Sequence, residues 1–279
     1  MAAFRYVVAD VFTDVALTGN QLAVFTDARG IPEELLQPLA REMAFSETVF
    51  VLPKEGDGHV RIRIFTPAAE LPFAGHPTLG SAFVLGGPLQ LVEIRIETGA
   101  GVVPVRLERE GARIVFGWMS QPVPRWRPYE QEADLLAALG VERSGLPVEL
   151  YDLGPTHVYV ELETEDAVAA LAPDQTALAR HPVGANCFAG EGRYWKLRMF
   201  SPHHGVPEDP ATGSAAGPLA VHLARHGRIA FGEEIEITQG VEIARPSKLY
   251  ARAEGSSERI DRVEVGGGAV IVARGEFRL

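Results

Sequence analysis

Two short segments of the chain place a polar residue directly before a proline, where it could take part in acid–base chemistry. The first segment, PFAGHPTLGSA, contains His76-Pro77, and the second, EDPATGSA, contains Asp209-Pro210. Aligned on these prolines, the two segments share the Gly-Ser pair that follows. An imidazole and a carboxylate in matching positions could exchange protons with a substrate and hold its polar groups. The repetition therefore raises the question of what the one varied residue does.

We predict that each proline occupies the first position of a helix, which places His76 and Asp209 at the two N-caps. Gly80-Ser81 and Gly213-Ser214 would then lie in the first turns, where unpaired backbone N–H groups bind anions. Asp is a favoured N-cap residue, so Asp209 could be purely structural, and the small residues could serve only close helix packing. His is not a favoured cap, which makes His76 harder to explain structurally.

A third candidate is Glu47, in the segment FSETVF. If this segment is a strand, Glu47 shares a face with apolar residues, whereas Ser46 points the other way. An unpaired carboxylate is costly to bury, and desolvation raises its pKa towards neutrality, as a reversible proton carrier requires. The alternative is a partly exposed edge strand in which Glu47 faces water.

Both helices and strands are needed to position these residues, and the pattern of apolar residues along the sequence predicts an α+β fold. Helices are predicted in Pro32–Met43, after Pro77, after Pro210 and in YEQEADLLAALG. Strands are predicted from alternating β-branched patterns. These segments are RYVVADVF, TVFVLP, VRIRIF, VEIRIE, THVYVEL, KLRMF, EIEIT and VIVARGEF.

Each half of the chain reads in the same order: strand, loop, helix, strand, turn, strand. A repeat of this length predicts two similar modules rather than a solenoid. We place the first module at residues 1–122 and the second at 123–279, and the last strand could pair with the first module. The Pro-rich stretch Ser120–Glu130 is predicted to be the linker.

Composition excludes several classes of function. The chain has 279 residues, of which 46% are hydrophobic and 23% charged, as in folded globular proteins. A net charge of −11 argues against a nucleic-acid partner, which requires clustered Lys and Arg. No apolar stretch approaches the ~18 residues of a membrane span, and no signal-peptide pattern begins the chain. We therefore expect no membrane partner and a cytoplasmic location.

Metal and thiol chemistry are weakly supported by the sequence. His222 and His226 have the i, i+4 spacing of helical zinc ligands, but no third ligand accompanies them in the sequence. We expect no metal site. Cys187 is the only cysteine, which excludes an intrachain disulfide and a cysteine zinc cluster and fits a reducing compartment. We interpret Cys187 as a small packing residue.

Taken together, FSETVF, PFAGHPTLGSA and EDPATGSA resemble the phenazine-biosynthesis PhzF-like isomerase family, in the family's order and spacing and over nearly the whole chain. The fold of that family is similar to the fold of diaminopimelate epimerase and proline racemase. The resemblance implies two like α/β modules, each with a barrel-like sheet around a central helix, with the active site in the cleft between them. It also implies a homodimer.

Carried over residue by residue, the resemblance assigns the family's catalytic roles to Glu47, His76, Asp209 and Ser214. It assigns substrate binding to Asn20, Ser46, Gly75 and Gly213. The related epimerases and racemases use two cysteines, one in each module. Neither proline turn of this chain carries a cysteine, so a two-thiol mechanism is excluded.

The implied activity is a cofactor-independent isomerisation of a small carboxylated, cyclic metabolite. Glu47 would take a proton from an sp³ carbon and return it elsewhere on the conjugated system. His76, Asp209 and Ser214 would hold polar groups of the substrate. Two alternatives stay open: a protein that binds small acids without catalysis, and a cofactor-independent epimerase or racemase that uses Glu47 and Asp209.

Overall fold

The computed structural model describes residues 2–279, which form two compact units. One unit comprises the described chain up to Ser120 together with Gly266–Leu279, and the other comprises Gln121–Val265. Both units are built from strands and helices, in agreement with the predicted α+β class. The boundary predicted from the sequence follows residue 122, with the last strand allowed to pair with the first module, and in the structure Gly266–Leu279 belongs to the first unit.

Eighteen strands and six α-helices run through the described residues. In chain order the strands are β1 (Ala3–Val11), β2 (Asn20–Phe25), β3 (Glu47–Leu52), β4 (Val60–Phe65), β5 (Glu70–Leu71), β6 (Glu93–Thr98), β7 (Gly101–Glu110), β8 (Arg113–Gln121), β9 (Arg125–Pro128), β10 (Glu149–Asp152), β11 (Thr156–Glu161), β12 (Gly184–Glu191), β13 (Tyr194–Ser201), β14 (Val206–Asp209), β15 (Ile235–Gln239), β16 (Ser247–Gly255), β17 (Ile260–Gly267) and β18 (Ala269–Arg278). The helices are α1 (Glu33–Met43), α2 (Gly75–Leu89), α3 (Glu132–Leu139), α4 (Glu165–Ala169), α5 (Gln175–Leu178) and α6 (Gly213–Arg225). Short 3₁₀ helices lie at Pro202–His204 and Val241–Ile243.

In the first unit, a mixed sheet surrounds several sides of α2. β1 is antiparallel to both β2 and β18, β2 is parallel to β3, and β3 is antiparallel to β4. β4 is parallel to β6, and β6, β7 and β8 are successively antiparallel. Helix α2 contacts β1, β2, β3, β6, β7 and β18. Apolar and small residues around its whole circumference allow this burial, since a helix with no polar face is stable only inside a core.

The second unit has a similar succession of pairings. β9, β10 and β11 are successively antiparallel, β11 is parallel to β12, and β12 is antiparallel to β13. β13 is antiparallel to β14 and parallel to β15, which in turn is antiparallel to β16. Every residue of α6 from Gly213 to Ala224 is buried, and the helix contacts β16. The Ala- and Gly-rich sequence permits this close packing.

Helix α1 has the opposite character, because only one of its faces is apolar. Its buried residues Leu36, Leu39 and Ala40 recur at helical spacing and pack against Phe25 and Phe50 in a cluster of aromatic side chains. The rings of Phe25 and Phe50 are stacked with their centroids 4.9 Å apart. The helix therefore covers the first unit's sheet from outside, whereas α2 lies among its strands.

One feature of this architecture differs from the sequence-based expectations. The Pro-rich stretch Ser120–Glu130 is not an irregular linker, because Arg125–Pro128 forms β9 and pairs with β10. The closing strand β18 pairs with β1 over its whole length, with an irregularity between Val8 and Ala9.

The packing of α2 against β1 and β2 can be tested at two of its glycines. A Cβ atom at Gly80 would lie 2.6 Å from Cδ2 of Leu22 and 2.7 Å from Cγ2 of Val11, whereas a Cβ at Gly87 would meet nothing within 4 Å. Alanine raises helix propensity at both positions, so the difference between the two variants isolates packing. We expect Gly80→Ala to be less stable than Gly87→Ala by about 1–3 kcal/mol, measured by urea denaturation. Equal stabilities would contradict the described contact.

Candidate active site

Four of the candidate residues lie together in the first unit. Oε2 of Glu47 is 3.4 Å from Nε2 of His76. The other ring nitrogen of His76, Nδ1, is 3.2 Å from Nδ2 of Asn20. The hydroxyl of Ser46 donates to Oδ1 of Asn20 at 3.3 Å. The structure thus joins Ser46, Asn20, His76 and Glu47 in one chain of polar contacts, and Gly75 directly precedes His76.

Glu47 owes its position to the pairing of β3 on both sides. As the first residue of β3 it lies opposite Leu22 of the parallel strand β2, and β3 also pairs with β4. The side chain of Glu47 is 14% exposed. The alternative of an edge strand with Glu47 facing water is therefore wrong. Ser46 and Glu47 were expected to point to opposite faces of one strand. This expectation does not apply, because Ser46 precedes β3.

His76 lies inside α2 rather than at its N-cap, which corrects the prediction from the sequence. Ala74 is the N-cap, and His76 is the second residue of the helix, with Pro77 third. Proline is tolerated there because the first N–H groups of a helix have no partner in a preceding turn. Gly80-Ser81 consequently lies in the second turn, beyond reach of the helix end.

Burial makes the His76 ring neutral. Its side chain is 3% exposed. Loss of hydration lowers the pKa of His76 from 6.5 to about 3, against a hydrogen bond to the backbone of Gln21 that acts in the opposite direction. A neutral imidazole has one nitrogen that donates a hydrogen bond and one that accepts a hydrogen bond. His76 can therefore hydrogen-bond to a substrate without carrying a charge.

Asp209 also lies outside the predicted N-cap position. It is the last residue of β14, and Thr212 is the N-cap of α6. The hydroxyl of Thr212 donates to Oδ2 of Asp209 at 2.6 Å. Gln239, which is 1% exposed, donates to the backbone oxygen of Asp209 at 2.8 Å and accepts from the backbone N–H of Thr212 at 3.0 Å. Asp209 is therefore tied to the start of α6 by a residue from β15.

Gly213 and Ser214 are the first two residues of α6, as Gly75 and His76 are of α2. Counted from the helix start, Ser214 therefore matches His76, and not Ser81 as the aligned prolines suggested. The first-turn N–H groups of both helices are unpaired within the helix and favour negative charge. Each unit thus presents a polar side chain beside a helix N-terminus.

The sequence analysis missed two buried side chains near Ser214: His157, which contacts Ser214, and Asn186, which contacts His157. Nε2 of His157, on β11, is 3.0 Å from Oγ of Ser214. Nδ1 of His157 faces Nδ2 of Asn186, on β12, at 3.4 Å. The one signal in the sequence that could have indicated this role is the presence of His157 within the apolar strand THVYVEL. The strand pattern alone does not show which helix end a side chain reaches, so the contact could not be predicted.

The two histidines considered as zinc ligands have a third polar partner in the structure. Oε2 of Glu149 lies 3.3 Å from Nδ1 of His222 and 3.1 Å from Nε2 of His226. The same oxygen is 2.6 Å from Nη1 of Arg225 and accepts from the hydroxyl of Tyr151 at 2.9 Å. The carboxylate of Glu149 is already paired with the guanidinium of Arg225. Glu149, His222 and His226 therefore suit a buried ion-pair cluster better than a metal site.

Cys187 lies in the apolar core of the second unit, with Val158 and Phe200 in the same cluster. Burial raises the pKa of its thiol to about 12. The thiolate needed for nucleophilic or acid–base chemistry is therefore inaccessible near neutral pH. These surroundings are those of a packing residue.

Comparison with known proteins identifies the family. The sequence profile of the family described as phenazine biosynthesis-like protein matches residues 9–275. The chain belongs to the phenazine biosynthesis-like protein family. A curated relative from Pseudomonas aeruginosa, named trans-2,3-dihydro-3-hydroxyanthranilate isomerase, is 53% identical over 276 residues and covers 99% of both chains. The expectation of a PhzF-like isomerase is thus confirmed.

Solved structures agree with the family assignment. The crystal structure of a phenazine biosynthesis protein of the PhzF family from Bacillus anthracis superposes with a TM-score of 0.86 at 26% identity, covering 100% of both chains. A hydroxyproline epimerase from Agrobacterium vitis shares the fold, with a TM-score of 0.67 at 12% identity and coverage of 98% of this chain and 92% of that one. The predicted likeness of this PhzF-like chain to epimerases and racemases is therefore confirmed at the level of the fold.

Among residues 2–279, no helix combines the length and the apolar character needed to cross a bilayer.

The buried neutral histidines predict how stability depends on pH. Burial lowers the pKa of both His76 and His157 to about 3, so between pH 6.5 and 3 the unfolded chain binds more protons than the folded chain. Stability is therefore lost as pH falls below 6.5. From pH 7.5 to 5.5, the free energy of unfolding should fall by about 1.4 kcal/mol for each of these two rings. The lowered pKa values of His181, His204 and His222 act in the same direction.

Urea denaturation at the two pH values measures this loss. In each of the variants His76→Asn and His157→Gln, the decrease in the free energy of unfolding between pH 7.5 and 5.5 should be smaller by about 1.4 kcal/mol, the contribution of one imidazole. A free energy of unfolding that stays constant between pH 7.5 and 5.5 would contradict the burial of neutral imidazoles.

Proposed function

We propose that this isomerase acts on trans-2,3-dihydro-3-hydroxyanthranilate, and that Glu47 is the group that moves the proton. The observation that carries the proposal is the position of Glu47, mostly buried and 3.4 Å from His76, in a chain similar over nearly its whole length to an isomerase named for that substrate. The name describes a six-membered ring with a carboxylate, an amino group and a hydroxyl group. Such a ring fits the small carboxylated, cyclic metabolite inferred from the family resemblance.

Glu47 has the chemistry needed to carry a proton between two carbons. Its carboxylate would take a proton from an sp³ carbon of the ring, and the resulting charge would spread over the conjugated system. The protonated carboxyl would then return the proton to a second carbon, so that no atom is gained or lost. A side chain that is only 14% exposed limits the loss of this proton to water between the two steps.

His76 and Asn20 would orient the carboxyl of Glu47 and the substrate. The neutral imidazole offers a hydrogen bond near the reacting carbons without a charge that would compete for the proton. Asn20 contacts the other ring nitrogen and accepts from Ser46, which limits rotation of the imidazole. This arrangement supports a positioning role for Asn20 and Ser46 around the proton-transferring pair.

The second set, Asp209, Gly213 and Ser214, would hold the polar groups of the same substrate. We propose that the chain consists of two like modules, each with a barrel-like sheet around a central helix, and that both sets face one cleft. The matching positions of Gly75-His76 and Gly213-Ser214 at the starts of two buried helices support this view. The N–H groups at these helix ends would bind a carboxylate or a developing enolate oxygen. By family resemblance, we also propose a homodimer.

Glu47→Gln tests the proton carrier, because it keeps the shape of the side chain and removes its basicity. We expect the variant to lose about 10²–10⁴-fold in kcat on trans-2,3-dihydro-3-hydroxyanthranilate. The reaction is run in heavy water, and product formation and deuterium content are followed by NMR and mass spectrometry. Glu34→Gln makes the same chemical change at an exposed position of α1 and should retain wild-type activity.

The outcomes separate the two parts of the proposal. Turnover by the wild type that persists in Glu47→Gln would mean that another group carries the proton. Binding without turnover by the wild type would mean that this compound is not the substrate.

A further inference from the structure

The contact between Ser214 and His157 has a direction that the surrounding groups determine. Nε2 of His157 and Oγ of Ser214 are 3.0 Å apart, and both side chains are buried. Either atom could donate in isolation. The direction depends on which ring nitrogen of His157 carries its hydrogen, and hence on the group that faces Nδ1.

That group is the side-chain amide of Asn186, whose orientation is fixed by two backbone carbonyls. Nδ2 of Asn186 lies 2.9 Å from the backbone oxygen of Gly184 and 3.2 Å from that of Val158. An amide oxygen in this place would face two acceptors, so the NH₂ group must occupy it. The same NH₂ group is 3.4 Å from Nδ1 of His157.

A ring nitrogen that faces an NH₂ group is disfavoured as a donor. Nδ1 of His157 therefore carries the lone pair, and the single hydrogen of the neutral ring is on Nε2. Burial keeps the ring neutral by lowering the pKa of His157 to about 3, and the nearby His204 acts in the same direction. Nε2–H of His157 thus donates to Oγ of Ser214.

This direction is opposite to the one in a serine nucleophile. There the imidazole accepts the serine proton, because a carboxylate or amide oxygen holds the hydrogen on the other ring nitrogen. Here His157 cannot act as the base for Ser214, since its Nε2 already carries a hydrogen. One lone pair of Ser214 Oγ accepts this hydrogen, so the hydrogen of the hydroxyl itself points away from Nε2 of His157.

We propose that His157, held by Asn186, is a positioning residue that makes Ser214 a hydrogen-bond donor to an anionic or developing anionic oxygen of the substrate. This inference rests on the proposed function, in which Ser214 contacts the substrate. His157 itself does not touch the reacting atoms and acts through Ser214. It extends the site by two side chains on β11 and β12.

The residue opposite His157 in the sheet is a glycine, which allows the imidazole to lie in its observed position. Gly184 is the register partner of His157 on the parallel strand β12. A Cβ atom at Gly184 would lie 2.8 Å from Nδ1 of His157 and 3.4 Å from Sδ of Met199. The absence of a Cβ atom at Gly184 therefore leaves room for the imidazole of His157. Any larger residue at position 184 would displace the ring from Ser214.

The tautomer can be measured directly on the wild-type protein. Long-range ¹H–¹⁵N correlation of protein labelled at the histidine ring nitrogens distinguishes a hydrogen on Nε2 from one on Nδ1, and loss of the signal in His157→Gln assigns it. We expect the Nε2–H form at pH 7. The Nδ1–H form, or a charged ring, would overturn the proposal. This result does not depend on the identity of the substrate, so it separates failure of this inference from failure of the proposed function.

A double-mutant cycle tests the action through Ser214. On the substrate proposed above, Ser214→Ala should lower kcat/KM by about 10²-fold, as loss of one donor to a developing charge does. His157→Leu, which cannot donate, should lower it by at least about tenfold. The double variant should be no worse than Ser214→Ala alone within about twofold, because the ring acts only through the hydroxyl.

Two further variants separate positioning from a general structural role. His157→Gln keeps a side-chain N–H donor and should recover most of the activity lost in His157→Leu. His181→Leu removes another buried imidazole of the same unit, bonded to Tyr129, and should leave kcat/KM unchanged. Additive losses in the cycle, or equal losses in the Gln and Leu variants, would overturn the assignment.

Discussion

The burial of polar side chains at the starts of two apolar helices is the constraint on which both sets of candidate residues depend. Helices α2 and α6 are covered on almost every side, so His76 and Ser214 cannot rely on water for hydrogen bonds. A buried polar group left without a partner costs about 1–3 kcal/mol. Neighbouring strands must therefore supply the partners, and they do so with Asn20 and His157.

Both partners come from comparable places in their units. Asn20 is the first residue of β2 and His157 the second residue of β11, and each of these strands runs parallel to the strand that follows it in the chain. Both imidazoles are neutral because they are buried. The acidic side chains among the candidate residues are those of Glu47 and Asp209.

Much of this could be predicted from the sequence. The eight alternating segments predicted eight of the eighteen described strands to within two residues, as VRIRIF and β4 illustrate, and the motifs around Glu47, His76 and Asp209 indicated the family. The N-caps were predicted wrongly because a proline is compatible with more than the first position of a helix. β9 was missed because its alternation is short and interrupted by proline. The contacts of His157, Asn186 and Gln239 depend on strand register and on which helix end lies nearby, and no local pattern encodes either.

The pairing of β18 with β1 has a consequence for how the protein acquires its structure during synthesis. Most of the first unit is synthesised before the second unit, yet its sheet includes Ala269–Arg278, which leave the ribosome after the whole second unit. The second unit is continuous in the chain and can be completed first. Until then, the edge of β1 that will receive β18 is open to other strands, a hazard that cells meet with chaperones. The order of completion is thus the reverse of the order of translation.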